Sequence, residues 1–90
     1  MRLSLISVDD LSAKIRPLLL RDWDPIGVAD EPRAQDEYDA YAPKVARMIA
    51  DGTAASDVAA YLLSIERDRM GLPGDAGRAA RVARQLLALA

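Results

Sequence analysis

The chain has 90 residues, enough for one hydrophobic core and too few for two. Apolar residues make up 51% of it, which excludes a disordered tail, yet Phe is absent and alanine outnumbers leucine 17 to 12, so a core must come from closely approaching elements. The net charge of −2 is too near neutral for a general nucleic-acid or membrane-surface binder, and the lack of both Cys and His removes disulfides, thiolate metal sites and any Ser-His or Cys-His pair.

The first eight residues are briefly apolar, but they lack the roughly 7–15-residue hydrophobic centre and small-residue cleavage site of a signal peptide. No run approaches the roughly 20 apolar residues of a membrane span. The expectation is a soluble cytoplasmic protein. Val8, Leu11, Ile15, Leu18 and Leu19 recur at steps of three and four, the stripe of an amphipathic helix, with Ser7 or Asp9 as its cap. Pro17 inside that stripe removes a hydrogen bond and crowds the Ala13 carbonyl, at about 3 kcal/mol, so the helix is expected to kink or break near residue 16. Asp24-Pro25 ends it, because a residue before proline avoids helical geometry.

Residues 22–37 form an irregular stretch in which Pro25 and Gly27 suit a tight turn and Glu31-Pro32 a second corner. A second helix is expected from Arg33 or Asp36 to Asp51, striped by Tyr38, Tyr41, Val45, Met48 and Ile49, kinked at Pro43 and stopped by Gly52. Ser56 is the expected cap of a third helix, striped by Val58, Tyr61, Leu62 and Ile65 and ending at Met70-Gly71. Asp75 caps a fourth, running to about Leu89 along Ala79, Val82, Ala83, Leu86 and Leu87. Only Arg2–Leu5 alternates, over too few residues to argue a strand. The fold class that follows is all-α: a single domain over residues 1–90, a small bundle of about four helices with an irregular loop between helices 1 and 2.

Trp23-Asp24-Pro25-Ile26-Gly27-Val28 is followed by Asp36-Glu37-Tyr38-Asp39-Ala40-Tyr41-Ala42-Pro43, then by a Gly-Thr-Ala-Ala-Ser helix start and Met70-Gly71-Leu72. That order, over about residues 15–72, resembles the YugE-like family of small uncharacterised bacterial helical proteins. The resemblance implies an all-helical fold and carries no established activity, catalytic residue or cofactor with it.

Charge is unevenly placed. Between residues 22 and 39 lie seven acids (Asp22, Asp24, Asp30, Glu31, Asp36, Glu37 and Asp39) against Arg33 alone. These acids cap helices and solvate a loop, and their joint potential also attracts a basic surface. Trp23, Tyr38 and Tyr41 either fold this loop onto the bundle or anchor a partner, since aromatics concentrate binding energy at interfaces. Trp23, Asp24, Asp30, Glu31, Asp36, Glu37, Tyr38 and Tyr41 are therefore the candidate partner-binding residues, and a basic protein surface, met by an immunity-protein-like or adaptor module, is the expected partner. A calcium loop fits poorly: Asp22, Asp24 and Gly27 match three template positions, but Ile26 occupies a ligand position and Arg33 stands where the closing carboxylate belongs.

Two alternatives remain open. Residues 48–62 resemble the first two helices of a helix-turn-helix, although residues 63–70 continue the pattern without the break that precedes a recognition helix. Arg78, Arg81 and Arg84 form a stripe beside a face of small alanines, which suits a homodimer or other structural oligomer. No phosphate loop, metal-ligand cluster or nucleophile with a partner is present in the sequence, so neither catalysis nor a cofactor is expected.

Overall fold

Four apolar stripes separated by glycine, proline and acidic caps become four helices. A computed structural model describes residues 7–89, and the short alternation at Arg2–Leu5 lies outside the described residues. Helix α1 spans Val8–Leu18, α2 Ala42–Ala50, α3 Ala55–Ser64 and α4 Ala76–Leu87. No strand occurs among the described residues, so the protein is an all-α bundle. Helix α1 packs on α2 and α3 packs on α4. Leu11, Ile15, Val45, Ile49, Val58, Leu62, Val82 and Leu86 fill the core, with Ala42, Ala46, Ala79 and Ala83 buried among them where backbones approach. No helix among the described residues is long and apolar enough to cross a membrane.

Caps set most of the boundaries. Ser7 Oγ accepts the Asp10 N–H at 2.9 Å and opens α1. Asp75 Oδ1 accepts the Arg78 N–H at 2.9 Å and opens α4. Gly52 follows α2 at φ +77°, a left-handed conformation that a side chain would strain.

The prolines behave differently from expectation. Pro17 does not break the first helix: helical backbone runs through it to Leu18, and a π turn over Leu19–Trp23 carries the chain one turn further. Both Pro17 and Ala13 lie on the exposed side, where a carbonyl that loses its helical partner can turn toward solvent. The break comes at Asp24, whose N–H donates to the Leu19 carbonyl at 2.9 Å and whose φ of 34° turns the chain out of the helix. Pro43 kinks nothing either. It sits in the first turn of α2, where its missing N–H has no intrahelical acceptor in any case. The long second helix expected from Arg33 or Asp36 is replaced by single 3₁₀ turns at Pro32–Ala34 and Asp39–Tyr41 ahead of α2.

Two smaller expectations also shift. Ala54, extended at φ −66° and ψ 151°, is the N-cap of α3, and no side chain caps it. The Thr53 N–H donates to the Met48 carbonyl at 2.9 Å, closing the α2–α3 corner early enough that Ser56 falls inside the helix. Helix α4 ends at Leu87, short of Leu89. Beyond α3 a second π turn, Ile65–Arg69, completes the rod, and the Met70 N–H donates to the Ile65 carbonyl at 3.1 Å.

Candidate functional site

The acidic loop is built on Trp23. Its position at the end of the first π turn points the indole into the bundle, where it is 1% exposed. Tyr38 packs on it with ring centroids 5.2 Å apart and is equally buried, and Tyr41 meets it edge-on at 6.0 Å. Trp23 and Tyr38 thus have no surface to offer a partner. They hold the loop, and the half-buried Tyr41 buttresses them.

Asp24 ties the loop to this aromatic base. Its left-handed backbone suits an acid whose short side chain bonds locally. One carboxylate oxygen accepts the Val28 N–H at 2.8 Å and the Tyr38 hydroxyl at 2.7 Å, and the other accepts the Ala29 N–H at 3.1 Å. The Tyr38 hydroxyl in turn accepts the Ile26 N–H at 3.2 Å. Gly27, at φ +69°, makes the turn between these contacts. Burial works to raise the pKa of Asp24, but the hydrogen bonds from Tyr38, Val28, Ala29 and Gly27 together outweigh it and hold the carboxyl below its ordinary value. Tyr38 moves the other way: burial and its bond to Asp24 push the phenol well above the usual tyrosine range. The Asp24 carboxylate is thus committed inside the loop, which removes it from the calcium template, and among the described residues no group of three potential ligands gathers.

The outer arc of the loop is pinned as well. Gln35 Nε2 donates to the carbonyls of Ala29 at 2.9 Å and Glu31 at 2.8 Å, and Glu31 Oε1 accepts the Arg33 N–H at 3.3 Å. Asp30, Glu31, Asp36 and Glu37 all face solvent. Four of the eight candidate residues therefore form an outward acidic arc, and the other four secure it. Ile26, 41% exposed, is the one large apolar residue among the described residues that is exposed rather than buried or half-buried.

Beneath the loop lies a constellation that the sequence reading passed over. Glu66, in the second π turn, has no exposed surface. Its Oε2 accepts the Trp23 indole N–H at 2.9 Å. Its Oε1 accepts the Asp75 N–H at 3.0 Å and the Arg78 guanidinium at 3.1 Å. One buried carboxylate thereby joins the acidic loop, the end of the third rod and the start of α4. Arg78, expected on an exposed arginine stripe, instead turns inward, and only a quarter of its side chain remains exposed. The signal for Glu66 was its position: it follows Leu62 by four residues and Val58 by eight, squarely on the apolar stripe. An acid there is costly unless it is paired.

Compared with protein-family models, curated proteins and solved structures, the chain matches none of them.

Proposed function

We propose that this bundle is an interaction module that presents the 22–39 acidic loop to a basic protein surface, in the manner of an immunity protein or an adaptor, and that it is not an enzyme. One observation carries the reading: the loop is held in a single shape by Trp23, Tyr38, Asp24 and Gln35 while Asp30, Glu31, Asp36 and Glu37 point outward. A preorganised loop loses little entropy on binding, and like charges fixed side by side steer an oppositely charged partner. Within the arc, Arg33 is the single opposing cation.

The test is partner recovery by the Asp30→Lys/Glu31→Lys protein beside the wild type. Neither residue is buried, so the fold is expected to survive. Reversal should sharply reduce recovery of the basic partner at low salt, with a smaller difference at moderate salt as screening sets in. Equal recovery by both proteins at both salt concentrations would refute the reading.

A further inference from the structure

The exposed apolar residue of this surface, Ile26, stands on the acidic loop between Asp24 and Asp30. Its backbone is fixed: its N–H donates to the buried Tyr38 hydroxyl at 3.2 Å, and Gly27 turns the chain just beyond it. A rigid apolar knob is thus offered to solvent in an acidic setting.

The same chain carries a hole of matching character. A cavity of about 210 Å³ lies where the start of α3 meets α4, lined by Ala55, Ser56, Ala59, Ala80 and Arg84. It is below the roughly 300 Å³ at which drug-sized pockets begin, so it suits a single side chain. Alanine methyls form most of its wall, and Arg84 is its only charged lining residue. Asp57, the acid next in sequence to this lining, is exposed and does not line it. The one ion pair among the described residues joins Glu66 to Arg78, so Arg84 keeps its charge for a contact outside them. The other cavity suits an acidic visitor poorly, because Pro25 of the loop itself forms part of its wall and Glu66 and Asp75 line it.

We propose that Ile26 of one copy seats in the α3–α4 cavity of a second copy, with the exposed loop acids Asp30 and Glu31 facing Arg84. The charge balance favours a second copy as the occupant: the loop holds seven acids against one cation, which leaves eleven cations against seven acids in the rest of the chain. Knob and hole lie on different elements, so the contact runs head to tail. One anchoring side chain implies a small interface, hence a weak and transient association. The inference rests on the acidic-loop reading for the kind of surface the loop meets, and places such a surface on this chain.

The test uses the full chain and no other protein. The ¹⁵N-labelled Ile26→Ser chain keeps the hole and lacks the knob, and serine preserves the backbone bond to Tyr38. Unlabelled wild type is titrated into it at low salt. Saturable shifts are expected at the amides of Ala55, Ser56, Ala59, Ala80 and Arg84. Unlabelled Ile26→Ser as the donor should bind at least about tenfold more weakly, the factor carried by ~55 Å² of apolar surface left in water. Arg84→Glu in the labelled chain, a change at an exposed residue, should weaken wild-type binding about fivefold, the factor that a charge contact at ~4 Å supplies in water. Overturning results are no saturable shift with wild type, equal shifts with the Ile26→Ser donor, or an unchanged affinity in Arg84→Glu. If this titration failed while charge reversal at Asp30 and Glu31 still abolished partner recovery, self-docking would fall and the loop reading would stand. If the titration succeeded while partner recovery survived the reversal, the separate basic partner would fall and self-docking would stand.

Discussion

Glu66→Ala should be among the most damaging single changes available to this protein. The carboxylate accepts from the Trp23 indole at 2.9 Å, the Asp75 amide at 3.0 Å and the Arg78 guanidinium at 3.1 Å, with no solvent contact of its own. Alanine leaves all three donors facing a void. Removing one member of a buried ion pair costs about 3–5 kcal/mol. Arg78 keeps a quarter of its side chain in water, which recovers part of its solvation and places the expected loss near the lower bound, at about 3 kcal/mol. A domain of this length has about 5–13 kcal/mol in total, so the variant should unfold at visibly lower urea and remain folded without it. Glu66→Gln isolates the polarity: it keeps the shape, but its NH₂ must face at least one of the same donors, for a loss of about 1–3 kcal/mol. Equilibrium unfolding in urea, followed by far-ultraviolet circular dichroism, measures both. A double-mutant cycle with Trp23→Phe then extracts the indole bond, expected at about 1.5–3 kcal/mol because its acceptor is charged. A Glu66→Ala loss below about 1 kcal/mol would refute the reasoning, since it would mean that water replaces the carboxylate at little cost.

Three further outcomes concern the loop and α1. Asp24 has a folded pKa below its unfolded value, so its contribution is complete above about pH 4, the unfolded carboxylate range, and is lost as pH falls through the lower folded value. Protection of the Val28 and Ala29 amides, taken relative to their intrinsic exchange rates, should therefore fall toward acid pH, and Tyr38→Phe should lower it at neutral pH while leaving the amides of α3 protected; identical protection in Tyr38→Phe and wild type would contradict the proposed pinning. Ser12 is 4% exposed and its hydroxyl has no hydrogen-bond partner among the described residues, so Ser12→Ala should stabilise the protein by about 1 kcal/mol and raise its melting temperature, whereas a lower melting temperature would show that the hydroxyl is satisfied.

The helices were legible because burial follows the 3.6-residue period. Ile15, Val45, Val58, Leu62, Val82 and Leu86, all on the expected stripes, are fully buried. The caps Ser7 and Asp75 were legible for an equally local reason, since each needs only its own side chain and an N–H three residues on. The prolines misled because their effect depends on where a helix starts and which way a carbonyl faces. Pro43 reads as a kink inside a helix begun at Asp36 and as an ordinary first-turn residue in one begun at Ala42. The two π turns left no mark in the stripe pattern, because one extra residue per turn changes the register only after the helix has ended.

The candidate site divides along the same line. An excess of acids between residues 22 and 39 is countable in the sequence, but which of them are free is not. Asp24 and Asp30 are the same residue type six positions apart. One is consumed by Val28, Ala29 and Tyr38, and the other faces solvent. The difference arises from the left-handed turn at Asp24, and that turn requires Trp23 to be seated. Trp23 is seated in turn against a glutamate 43 residues away in sequence. Long-range pairing of this kind leaves only an indirect trace, an acid where an apolar residue belongs. It also means that the acidic surface and the core are not separable: a change at Glu66, which touches no solvent, alters the foundation of the exposed acidic arc through the Trp23 indole.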